Sequence, residues 1–281
     1  MPLTQDEFSK LTSLIQNLVD QIEDEFVATF VTPTPPPPTQ VPAPTYINQP
    51  GNYKVTAPTD LIRIESDEVG LDLGGFRVNS IVCGESKPLT GVTIRDGSAG
   101  RIFFDRRPHN WTLIDNVNLS GAETAIFPSG NNITIRNCRV EVAGSGYALF
   151  IGDLHTNVGL TIEDCSFVSR GPNSLVRICN TDNVVIKRCT FEEEVYHCLR
   201  FHGYSRVCRS FLIEDCEFRG TGNGVGIGFD SGAGENYGCD GLVFRRCRML
   251  VTGPDKFNAD RNRGGAHARN VQVIDCEGDW T

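Results

Sequence analysis

One short pattern recurs through the second half of this chain: "NITIRNCRV" from Asn132, then "GLTIEDCSF", "NVVIKRCTF", "SFLIEDCEF", "GLVFRRCRM" and "NVQVIDCEG". Each copy alternates apolar and polar residues, meets a polar pair, and resumes at a cysteine. The alternation is that of a half-buried β-strand, and the polar pair that of a turn. Six cysteines share the marker position: Cys138, Cys165, Cys189, Cys216, Cys247 and Cys276. Adding Gly97 of "GVTIRDG" and Asn116 of "NWTLIDN" gives successive spacings of 19, 22, 27, 24, 27, 31 and 29 residues. Self-similarity at this period is the mark of a solenoid. A fixed coil with loops of varying length accounts for the uneven gaps.

A second set of alternating strands precedes the motifs: "ALFIGD", "LVRICN", "CLRFHG" and "GIGFDS". Each coil therefore has at least two strands, and no helical pattern intervenes to make crossover units. The strands are expected to stack in parallel, about 4.8 Å from coil to coil. Within "IEDCSF" the alternation turns Ile162 inward and Glu163 outward, bends the chain at Asp164, and returns Cys165 to the interior. The cysteines then form a packed ladder. Disulfides are not expected, because parallel side chains do not readily give the near-perpendicular S–S torsion, and 11 cysteines cannot all pair.

The 281 residues suit one large domain with an accessory segment. A net charge of −9 argues against a nucleic-acid partner. No stretch is apolar for long enough to span a membrane, and the N-terminus does not read as a secretory signal. No CxxC pair supports a zinc site, so no metal is expected. The glycine-rich stretch 220–234 lacks the helix and the Lys-Ser/Thr of a phosphate-binding loop, so no cofactor is expected either.

"VGLDLGGFRV" (69–78), followed by the repeated strand–turn–cysteine unit, resembles the right-handed parallel β-helix superfamily of pectin-lyase-like proteins. The resemblance covers residues 47–281 and implies an all-β, right-handed parallel β-helix. It does not fix an activity. The superfamily includes polysaccharide lyases, glycoside hydrolases and epimerases, and also bacteriophage tailspikes and virion appendages that bind glycans and are usually trimeric.

Two segments precede the solenoid. Phe8, Leu11, Ile15, Leu18 and Ile22 are spaced three, four, three, four, a heptad seam predicting an amphipathic α-helix within residues 1–31. So short a helix is marginal alone and must bury its stripe on something. Residues 32–46 are proline-rich and read as an extended spacer. With the resemblance, these segments suggest a structural surface protein of a bacteriophage particle, made in the host cytoplasm and displayed on the virion. The helix would anchor to other virion proteins or hold a homotrimer, and the β-helix would project. The alternative is a polysaccharide lyase or glycoside hydrolase on the same fold.

Aligning the second strands on Ile151, Ile178, Phe201 and Phe229 gathers one outward set of residues. Phe150, Arg177, Arg200 and Gly228 lie one position earlier; Gly152, Cys179, His202 and Asp230 lie one position later. Asp153 and the acids Glu192, Glu193 and Glu194 are expected beside them. Arg177, Arg200, His202, Asp230 and Asp153 are the candidate contacts to a surface polysaccharide, since arginine forks suit acidic sugars; the alternatives are a carboxylate paired with His202 for acid–base work and a solvated face whose charges only keep the sheet soluble. No catalytic residue is assigned from the sequence.

Overall fold

The computed structural model describes residues 39–41, 45–105, 107–121, 123–152, 156–195, 197–203, 206–220, 225–231, 238–252, 257–258 and 268–280. The heptad positions Phe8, Leu11, Ile15, Leu18 and Ile22 lie outside them. Every described regular element is a β-strand. Each coil pairs with the next through parallel ladders, so the strands form a continuous solenoid.

Each coil has three faces, one more than the minimum inferred from the repeats. Face A carries the motif strands, among them Gly130–Arg136, Asn157–Glu163, Thr181–Lys187, Val207–Glu214 and Gly238–Arg245. Face B carries Arg139–Val142, Ser166–Ser169, Thr190–Glu193, Glu217–Gly220 and Arg248–Val251. Face C carries Ile126–Phe127, Leu149–Ile151, Val176–Cys179, His197–Gly203 and Val225–Ser231. The solenoid starts earlier than the sequence suggests. Thr39–Val41 pairs with Gly51–Val55, and Thr45–Ile47 with Thr59–Ile64, so part of the expected spacer belongs to the first coil.

Stacking turns the repeats into interior columns. On face A, Ile94, Ile114, Ile135, Ile162, Ile186, Ile213 and Phe244 follow one another in register and are all buried. On face B, Phe167, Phe191 and Phe218 stack with centroids 5.3 and 5.1 Å apart and planes within about ten degrees. Parallel coils force identical side chains into this offset stack, a favourable aromatic arrangement.

The corner between faces A and B explains the motif. Asp96, Asn116, Asn137, Asp164, Arg188, Asp215, Arg246 and Asp275 all adopt left-handed backbone, with φ between 50° and 60°. Asn and Asp tolerate this region better than most residues. Where Arg occupies it, the guanidinium reaches the acid one coil back in a two-pronged hydrogen bond: Arg188 to Asp164 at 2.7 and 2.8 Å, Arg246 to Asp215 at 2.7 and 2.8 Å. These bonds hold both carboxyls below the usual aspartate range. The groups are exposed, so the pairs contribute little energy and act mainly to fix register.

The cysteine next in line turns inward, and its thiol donates to the carbonyl two residues before it. Those contacts are 3.1 Å for Cys138, Cys165 and Cys189, and 3.2 Å for Cys216. A cysteine is small enough for the corner and supplies a weak donor that alanine lacks. All eleven cysteines are unbridged. Burial pushes the thiols of Cys83 and Cys198 up, and that of Cys208 up to about 11. One marker shifts: Val117, not Asn116, pairs with Gly97, and Arg139 beside Cys138 pairs with Asn118 beside Val117. Asn116 is the left-handed turn residue of its coil.

A second left-handed column crosses face A as a bulge in successive coils, through Glu68, Gly91, Trp111, Asn132, Gly159, Asn183, Ser210, Gly241 and Asn270. Seven of these are small or amide residues; Glu68 and Trp111 are neither, and Trp111 is 65% exposed.

Two predictions follow from these columns. Ile162→Ala, Ile186→Ala and Ile213→Ala should each cost on the order of 2–5 kcal/mol in urea denaturation, against about 0.5 kcal/mol for Glu163→Ala or Lys187→Ala. Similar costs in both sets would contradict the inward register. Trp111→Asn should instead raise stability, by on the order of 1 kcal/mol, because it relieves a left-handed bulky residue while uncovering little core. An unchanged or lower unfolding midpoint would show that the ring contributes more than its backbone costs.

Candidate functional site on face C

A long outward column on face C stays in register from coil to coil. It runs Tyr46, Arg63, Val82, Phe103, Phe127, Phe150, Arg177, Arg200 and Gly228. Alternation along each strand sends the neighbours of these residues inward: Ile102 and Phe104, Leu149 and Ile151, Val176 and Ile178 are buried. Parallel pairing then places each outward side chain over the one a coil earlier. Phe103 and Phe127 stack with centroids 5.3 Å apart at 24°, and Phe127 and Phe150 lie 5.0 Å apart at 40°. Tyr147, from the loop that enters face C, stacks on Phe150 at 5.1 Å and 27°.

Arg177 closes this aromatic row. Its guanidinium carbon lies 5.1 Å from the centre of the Phe150 ring and 5.7 Å from that of Tyr147. One terminal nitrogen donates to the Tyr147 hydroxyl at 3.2 Å, the other to Nδ1 of His202 at 3.1 Å. Since Nδ1 accepts, His202 in this contact is the neutral tautomer with its proton on Nε2. Cation–π contact and hydrogen bonds together fix the arginine in place.

The structure brings some of the sequence-predicted residues together and leaves others apart. Arg177 and Arg200 are register partners, as are Cys179 and His202, and His202 and Asp230. Both arginines are half-buried rather than open. Cys179 and His202 were expected to face solvent; they are 0% and 8% exposed. The reason is the corner leading to face A, where Asn180 turns left-handed at φ 47° and strand alternation ends. Asp230 is described through its backbone alone, and Asp153 lies outside the described residues. The acidic run sits on face B and not beside the arginines: Glu192 is exposed there, Glu193 points inward, and Glu194 pairs with Arg170 at 3.5 Å.

Several residues of the site were missed in the sequence. Phe103 and Phe127 were legible as the alternate positions of "RIFF" and "IF", but those short strands precede the first cysteine-marked motif and fall outside the set aligned on Ile151, Ile178, Phe201 and Phe229. His197 is another. It is buried above Gly228, where an added Cβ would fall 2.3 Å from its ring, and its Nδ1 lies 3.5 Å from the Ser174 hydroxyl. Burial, and secondarily the positive charge of Arg200, pull its pKa down to about 3. His109, away from the site, is also held neutral by burial; its Nδ1 accepts from the Leu89 amide at 2.9 Å and its Nε2 meets the Asp105 carbonyl at 3.1 Å.

A family model for the right-handed β-helix region matches residues 102–250, just over half of the chain. The chain belongs to that family. The match gives the hand of this β-helix and spans the aromatic row and both arginines. No curated protein and no solved structure matches the chain. Among the described residues no cluster of His, Cys, Asp and Glu has the arrangement of a metal site, and no helix is long and apolar enough to cross a membrane.

The buried histidines make stability depend on pH. The unfolded chain takes up a proton at His197 near pH 6.5, whereas the folded chain resists until about pH 3. Stability is therefore full above the unfolded value and falls as the pH drops between the two. Urea denaturation from pH 7 to 4.5 should show this loss, and His197→Gln should flatten it by up to about 1.4 kcal/mol per pH unit. A variant with an undiminished slope would mean that His197 is not held neutral.

Proposed function

We propose that this β-helix is a structural surface protein of a bacteriophage particle that holds a surface polysaccharide on face C without cleaving it. One observation carries the binding role: the outward row Phe103–Phe127–Phe150, continued by Arg177 and Arg200. Tyr147 and Arg177 already cover Phe150, which is 8% exposed, whereas Phe103 and Phe127 keep part of their rings open on the outer face, where only a bound partner covers them. Rings set one per coil beside hydrogen-bonding groups suit a chain of sugars, whose units carry apolar C–H faces and polar edges.

The virion assignment is supported by the segments before the solenoid. An amphipathic stripe too short to stand alone, set off by a proline-rich stretch, fits attachment at one end and display at the other. Other virion proteins or sister subunits in a homotrimer are the proposed partners of residues 1–31. A lyase or hydrolase on this fold is the competing reading. Hydrolysis would need two carboxylates facing each other across the bound chain.

Incubating the full chain with a polysaccharide panel distinguishes these readings. Binding without new reducing ends or unsaturated products is expected. Phe103→Ala, at a ring that keeps an open part, should weaken binding by at least about tenfold, the loss of roughly 1.4 kcal/mol of ring contact. Steady release of products would replace the binding role with an enzymatic one, and an absence of binding to any member would refute it.

A further inference from the structure

Beside the exposed parts of Phe103 and Phe127 lies a depression of about 370 Å³, lined by Arg101, Phe103, Glu123, Thr124, Phe127, Ser145 and Gly146. It falls within the size range of small-ligand sites. Its far wall is fixed by close packing: a Cβ on Gly146 would lie 2.2 Å from the backbone of Glu123 and 2.3 Å from that of Thr124, so only glycine lets the two loops meet. The Thr124 hydroxyl accepts from the Tyr147 amide at 3.3 Å, which ties the same wall to the aromatic row.

The charge at this rim differs from that at the arginine end. Arg101 donates to Glu123 at 3.0 Å and to the Ser80 hydroxyl at 2.9 Å, so the cation is matched locally by an anion. A carboxylate or sulfate entering here would meet Glu123 as well as Arg101, and gains no net attraction. A hydroxyl group is both donor and acceptor. Two neighbouring hydroxyls of one ring could give a proton to the Glu123 carboxylate and accept one from the Arg101 guanidinium, while the C–H face of the ring covers Phe103 and Phe127.

We infer that this depression binds an uncharged sugar ring, oriented by the Arg101–Glu123 pair over a floor formed by Phe103 and Phe127. The inference rests on the glycan-binding reading and narrows it to neutral sugars at this subsite. Arg177, two coils beyond Phe127, is engaged by Tyr147 and His202 and lies outside the depression.

The test is saturation-transfer NMR and calorimetry on the full chain with hexasaccharides of glucose, mannose and xylose, set against galacturonate and hyaluronate oligosaccharides. At least one uncharged hexasaccharide is expected to bind, with an affinity that changes less than twofold between 0.05 and 0.5 M salt (on the order expected without ionic contacts). Phe127→Ala should lower that affinity at least tenfold. Glu123→Gln, at a side chain 78% exposed and free of any core role, should lower it several-fold with the unfolding midpoint unchanged. Binding confined to the acidic oligosaccharides, or neutral binding untouched by both substitutions, would overturn this site while leaving a glycan-binding face C. No binding by any oligosaccharide would overturn both.

Discussion

The described β-helix depends on the hydrogen bonding between successive coils at one corner. The left-handed turn residue donates its amide forward, Asn137 to the Glu163 carbonyl at 3.0 Å and Asp164 to the Lys187 carbonyl at 3.1 Å. The cysteine that follows receives an amide from the next coil at its own carbonyl, as Ser166 gives to Cys138 at 2.9 Å. The Glu163 carbonyl also takes the Cys165 thiol at 3.1 Å. The backbone polar groups named here thus find partners although the chain reverses sharply, and a turn that left them unmet would cost about 1–3 kcal/mol for each buried group. Because this bonding repeats in register, every side chain position becomes a column. The interior columns make the core, and the outward columns make whatever chemistry the surface has.

That logic sets how much could be read from the sequence. The fold was legible because it is periodic: Ile162 inward, the turn at Asp164 and Cys165 in the ladder all lie where strand alternation places them. The register of the second strands was legible too, since Ile151, Ile178, Phe201 and Phe229 do pair in sequence. Alternation failed at the corner from face C to face A, where a left-handed residue ends the strand. Cys179 and His202 sit beside a left-handed residue and are covered, and Asn116 was taken one position away from Val117, the member of the cysteine column in its coil. The start of the solenoid was hidden by proline, whose presence reads as spacer even where edge strands such as Thr39–Val41 pair.

The candidate site was half legible for a related reason. Arg177 and Arg200 drew notice as charged residues on one face, and they are register partners. The setting of Arg177 was not visible, because it depends on Tyr147 in a connecting loop and on His202 at the corner of the next coil. Loop lengths differ from coil to coil, so no repeat pattern reports what a loop folds over. The columns carry the fold, and the loops decide which parts of a column remain open.

The thiol column has a consequence for how the molecule comes apart. Each motif coil from Cys138 to Cys247 keeps one thiol sealed inside its corner, so a maleimide or iodoacetamide reaches that thiol only when its own coil opens. The protein thereby carries a numbered set of chemical clocks along its axis. Peptide mapping of the labelled sites would give an opening rate for each coil separately, and would tell whether the stack frays from one end or yields as a whole.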